Sequence, residues 1–210
     1  MRRIFNMLKT PNAFRQVAAA KTINLFYRDF RENEEIIRRY ALDVMFHALN
    51  AIKNNTNSST VSDKKIDAYN SLIEVTEHFA KIIVRRLNDG YELIGESIVN
   101  VDKLLEYLLI NISNINWKMR STCTCLFSRI VKTKYKSEID YSDKIKPDFI
   151  RMYEFEYNLL NANETEDLMT YCNKIEGTLY AYNYVVAKGM LSTNAFTSFS
   201  TVDISECKKR

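Results

Sequence analysis

Apolar side chains recur three and four residues apart over most of this chain, and little interrupts them. Ile36, Ile37, Tyr40, Ala41, Val44, Met45, Ala48 and Leu49 fall on one side of a helix with hardly a break, because residues one turn apart share a face. Strand-like alternation is rare. Gly 4 and Pro 2 in 210 residues leave few residues suited to the tight turns of sheets. The expected fold class is all-α. A hydrophobic fraction of 46% over 210 residues suits one domain with a substantial core and excludes a globally disordered chain.

Pro11 suits the opening of a first helix from Thr10 to Asp29. The Ile36–Leu49 helix ends in a polar run, Lys53 to Thr60, which reads as a mobile loop over 53–65. A long helix is expected from Lys65 to Leu87, with Gly90 and Gly95 loosening the segment after it, each about 1 kcal/mol less favourable than alanine inside a helix. Ile98, Val101, Leu104, Leu105, Leu108 and Ile112 mark the next helix. Trp117, Cys123, Thr124, Leu126, Phe127, Ile130 and Val131 come next, apolar on more than one side, which is the pattern of a central, buried helix. Pro147 opens a further helix through Leu160, and Leu168 to Val186 form a last one. The expectation is a globular bundle of seven to eight helices around that central one. Its parts are a basic helical segment over 1–30, the bundle over 31–191 and a polar, disordered tail over 192–210. No internal repeat is visible.

The net charge of +4 is unevenly spread: Arg2, Arg3, Lys9, Arg15, Lys21 and Arg28 precede the first acidic residue, Asp29. Such a start fits a mitochondrial presequence, attraction to an anionic lipid surface, or a plain solvated helix. No stretch reaches the roughly 18 apolar residues of a spanning helix; 179–196 comes nearest, broken by Asn183, Lys188 and Gly189. Four cysteines, Cys123, Cys125, Cys172 and Cys207, outline no disulfide framework, and a reducing, cytoplasmic compartment fits best.

Catalytic chemistry finds little foothold. His47 and His78 stand alone, without a Ser or Cys at a motif spacing. Cys123-x-Cys125 lacks the second pair of a tetrahedral metal site, and there is no phosphate-cradling glycine loop. The basic start has no interleaved aromatic platforms for nucleic acid. Neither enzyme activity, cofactor, metal nor nucleic-acid partner is expected.

One stretch looks like a recognition helix. Ala80, Val84, Leu87 and Tyr91 are spaced four, three and four apart, with Arg85, Arg86 and Asp89 beside them. On spacing alone these apolar residues are ordinarily plain core; the charges beside them and Asn116-Trp117 downstream favour anchors for a groove. Ile115-Asn116-Trp117 lies about one helix further on, with Asn116 placed to cap the next helix.

Together these segments resemble the Bcl-2 family of apoptosis regulators. Val84, Leu87, Asn88, Asp89 and Tyr91 resemble its third homology motif, with Ala80 at the preceding apolar position and Asn88 where glycine is usual. Leu104 to Leu109 and Asn116-Trp117 resemble the first, but Lys118-Met119 replaces its Gly-Arg pair and Arg120 falls one residue late. Leu159-Leu160-Asn161 to Leu168-Met169 lies at the distance of the second, without its usual Trp or Gly pair.

The resemblance implies a surface groove walled by Leu104, Leu105 and Leu108, with Asn116 and Trp117 at its edge. Arg120, or else Arg129, would meet a ligand helix's aspartate. The implied function is regulation of cell death at the cytosolic face of the mitochondrial outer membrane, by sequestering amphipathic helices of pro-apoptotic proteins. A pro-survival direction is preferred. The alternatives are a pro-death member that oligomerises in membranes, and a helical or virus-encoded adaptor with non-apoptotic partners. On the groove reading, Leu108→Glu abolishes peptide binding and leaves helicity intact.

Overall fold

The computed structural model describes residues 1–56, 63–112, 114, 116–134, 172, 173 and 176. Up to Lys134 these form seven α-helices and no strand: α1 Arg2–Lys9, α2 Ala13–Leu25, α3 Tyr27–Glu32, α4 Glu34–Thr56, α5 Asp63–Asn88, α6 Val101–Asn111 and α7 Trp117–Lys134. The all-α class is therefore as expected. The helix from Pro147, Leu179–Phe196 and the 192–210 tail lie outside the described residues, as do 57–62 of the expected loop.

Local chemistry sets the boundaries. Asn12 and Asn100 cap α2 and α6, their side-chain oxygens accepting from the Arg15 and Lys103 amides at 3.2 and 3.0 Å. The single helix expected from Thr10 to Asp29 is broken at Phe26, whose backbone leaves the helical range before α3 begins. α4 runs on through Thr56, into the polar run read as loop. α5 stops in a Schellman turn: the Tyr91 amide reaches the Arg86 carbonyl, the Gly90 amide reaches that of Leu87, and Gly90 adopts a φ of 78°.

The helices pair as hairpins, α1 with α2, α4 with α5 and α6 with α7, and the hairpins stack. One layer holds α1, α4 and α6. Phe5 meets His47 while Leu8 and Lys9 lie beside Asn50 and Asn54, so α1 and α4 run the same way. Asp43 faces Ser97 and Asn50 faces Tyr107, which aligns α6 with them. The other layer holds α2, α5 and α7. Phe14 meets Lys64 and Phe30, just beyond α2, meets Phe79; Lys118 near the start of α7 meets Tyr69. Between layers the direction reverses, with Glu34 at the start of α4 paired to Arg86 near the end of α5, and Lys134 paired to Asp102.

This is a two-layer stack in which each hairpin buries its apolar faces against the next. α5 separates α2 from α7. Among the described residues, α4 and α5 stand in the middle of these rows. At 23 and 26 residues they are the longest helices, and both have broad apolar faces that need a neighbour on each side. α7 does bury several sides, including Met119, Cys123, Phe127, Ile130 and Val131. The basic start is part of the same body, because Phe5, Leu8, Ala19, Ala20, Ile23 and Phe30 belong to the core that Ile37 to Ile52 continue. No helix among the described residues is long and apolar enough to cross a membrane.

Candidate functional site

The end of α5 carries the residues that looked most like a recognition stripe. Ala80 is fully buried, while Val84 and Leu87 are half-buried against the core. Tyr91 is not on the stripe, because the helix ends at Asn88 and the left-handed Gly90 turns the chain away. Asn88 and Asp89 are exposed at that end. The charges beside the stripe have partners within the chain. The Arg86 guanidinium donates to Glu34 at 2.9 Å and lies 5.1 Å from the Tyr91 ring centre, and the Tyr91 hydroxyl donates to the same carboxylate at 3.2 Å. Arg85 and Asp89 approach to 4.0 Å in an exposed pair one turn apart. Together these contacts fasten the last turn of α5 to the first turn of α4.

The expected groove wall is core. Leu104 and Leu108 are completely buried and Leu105 nearly so, all within the cluster that joins α4, α5, α6 and α7. Asn116 caps α7, its side chain accepting from the Lys118 amide at 2.9 Å. Trp117 is 63% exposed, so it is no packing anchor. Arg120 is buried; it donates to the Asn114 carbonyl at 2.8 Å and forms an ion pair with Glu176. Arg129 is half-buried on α7. The sequence offered no reason to prefer an internal partner for Arg120, because Glu176 lies 56 residues away.

A different cluster, invisible as a motif, lies between the α1–α4–α6 layer and the 93–100 loop. Asp43 is buried, and its carboxylate accepts the backbone amides of Glu96, Ser97 and Ile98 at 2.8, 2.6 and 3.4 Å. Gly95 allows this wrap, since a Cβ there would stand 2.4 Å from the Ile98 carbonyl oxygen and 3.1 Å from Asp43 Oδ1. One turn on, His47 Nε2 lies 3.2 Å from Ser97 Oγ. The sequence shows no Ser or Cys at a motif spacing from His47, and Ser97 reaches it only through the fold. The pair closes across 50 residues, a separation no spacing rule covers. A recess of about 300 Å³ opens beside it, lined by Leu8, Lys9, Phe46, Asn50 and Asn54 among others.

Burial, and then Lys9, hold the His47 imidazole below its ordinary pKa against the opposing pull of Asp43. It is therefore uncharged at neutral pH and able to share a hydrogen with Ser97. An acyl-transfer site would need free amides aimed at a developing oxyanion. The amides of 96, 97 and 98 already serve Asp43. Burial likewise pushes the Cys123 thiol and the Tyr107 hydroxyl well above their usual ranges, which leaves Cys123 unreactive. The one sequence signal for the cluster was Asp43 itself, an acidic residue on the apolar Tyr40–Ala48 side of α4.

No family model matches the chain. A stretch of 85 residues, 40% of this chain, is 25% identical to the DNA-dependent protein kinase catalytic subunit of Xenopus laevis. The chain spans about 2% of the length of that curated relative, so what is similar is a short segment of a very large protein.

Proposed function

We propose that this chain works as a scaffold of stacked helical hairpins and acts by binding another protein. The observation that carries this reading is the packing order. Helices of each layer run in one direction and meet mainly their neighbours, a construction that produces extended surface rather than an enclosed cleft. The polar cluster at Asp43 pins a loop and lacks the donors of an acyl-transfer site.

This is the adaptor reading among the sequence-based expectations. The groove reading requires Leu104, Leu105 and Leu108 to be reachable by a ligand helix and Arg120 to be available to its aspartate. The first three are core residues and Arg120 is engaged with Glu176. Regulation of apoptosis, residence at mitochondria and membrane association therefore rest on the sequence resemblance alone.

Titration of the folded chain with a labelled amphipathic death-motif helix, beside panning of a helical peptide library, tests the scaffold reading. Library binders with hydrogen-exchange footprints on the outward helix faces support it. Saturable binding of the death-motif helix, with protection along 104–108, would overturn it, as would ester turnover abolished by Ser97→Ala.

A further inference from the structure

The recess beside the His47–Ser97 pair has walls that the chain itself holds in place. His47 stands between the Phe5 and Phe46 rings, whose centres lie 4.5 and 5.5 Å from its own. The Tyr107 and Phe46 rings meet edge to face at 5.2 Å, and the Tyr107 hydroxyl donates to Asn50 Oδ1 at 2.8 Å. These contacts join α1, α4 and α6, so the lining is formed before any ligand arrives. At about 300 Å³ the space stands at the small end of small-molecule sites.

Its chemistry is one-sided. Leu8 and Phe46 supply an apolar wall, while Lys9, Asn50 and Asn54 supply polar groups next to His47 and Ser97. The Tyr107 hydroxyl occupies the Asn50 oxygen and leaves the amide nitrogen as a donor. Among the described residues, neither that nitrogen, the Asn54 carboxamide nor the Lys9 ammonium has a hydrogen-bond or ion-pair partner. Carboxylates able to answer Lys9 are scarce on the bordering segments. α1 carries none, α4 beyond Tyr40 only Asp43, and 93–100 only Glu96. Asp43 is engaged by three loop amides, and Glu96 reaches Arg39 at 3.6 Å. The recess thus offers one cation and amide donors beside a hydrocarbon wall.

We propose that this recess binds a small organic monocarboxylate, its carboxylate held by Lys9, Asn50 Nδ2 and Asn54 and its hydrocarbon part laid on Leu8 and Phe46. A bare anion would leave the apolar wall wet. A neutral molecule would leave Lys9 without a counter-charge, and a dianion would exceed the single cation. The site is independent of the scaffold reading, which stands or falls by its own test.

The test titrates the full chain with benzoate, benzyl alcohol, benzylamine and inorganic phosphate, followed through the side-chain amide signals of Asn50 and Asn54 in nitrogen–proton correlation spectra. Benzoate should shift both signals saturably, at a concentration on the order of a millimolar. The other three should bind at least about fivefold more weakly. Lys9→Gln, at an exposed position, should weaken benzoate at least about fivefold while far-UV circular dichroism stays unchanged. Asn54→Asp sets a carboxylate of nearly the same shape into the lining and should weaken benzoate as much, again in a folded chain. Benzyl alcohol or phosphate binding as tightly as benzoate overturns the proposal, and so does benzoate binding that neither substitution weakens. A response to benzoate that stays linear, or that leaves the Asn50 and Asn54 signals in place, overturns it as well.

Discussion

Asp43, Gly95, Ser97 and His47 show how a few residues fix a loop that sequence patterns leave open. The carboxylate replaces water for three loop amides, and Gly95 supplies the room. Gly95→Ala should destabilise the chain by about 1–3 kcal/mol, read as a fall in urea midpoint, because the added methyl overlaps a carbonyl oxygen that cannot move without releasing Asp43. His47 adds a pH dependence of known sign. Its folded pKa lies below the ordinary value of 6.5, so the unfolded chain binds the proton more readily. Its contribution is present above about pH 6.5 and is lost as pH falls toward the folded pKa. The urea midpoint should drop between about pH 7.5 and 5.5, and His47→Gln should drop less over the same interval. None of this was legible beforehand except Asp43 on an apolar face, because the pairing joins residues about 50 positions apart.

Among the elements, α5 shows how spacing alone misleads. The four–three–four run from Ala80 to Tyr91 has helical periodicity, but periodicity does not report where a helix stops. Gly90 stops it. With φ at 78° and no heavy atom within 4 Å of an added Cβ, Gly90→Ala should cost about 1–2 kcal/mol of conformational energy and nothing in packing. Thermal melting of the single variant measures this. On α6, Leu108 changes its expected behaviour for a packing reason. The groove reading expects Leu108→Glu to leave helicity intact. The side chain is completely buried, so Leu108→Ala should cost about 2–5 kcal/mol. Leu108→Glu, which buries an unpaired carboxylate, should lose far-UV helicity outright.

At the scale of the whole molecule, stability depends on neighbours. α1 packs on α2 and α4, whereas α4 and α5 have partners in both layers and on both flanks. Native-state hydrogen exchange should therefore be slowest in α4 and α5 and faster in α1, as expected of a stack stabilised by nearest-neighbour interfaces. Uniform protection across α1, α5 and α7 would show one cooperative globule instead.

Read alone, the sequence determined that the described part of the chain is helical, which residues of α4 lie on its buried face, and that Asn116 caps the helix after it. Those properties depend on contacts within a turn or two, where spacing is geometry. Only the tertiary structure decided that the hairpins stack in two layers, that Leu104 and Leu108 are core rather than groove, and that Arg86, Tyr91 and Arg120 bind their own chain. A buried face does not specify which helix covers it, and a charge does not specify its partner. Both are settled by residues some 50 positions away, brought together only when the layers close.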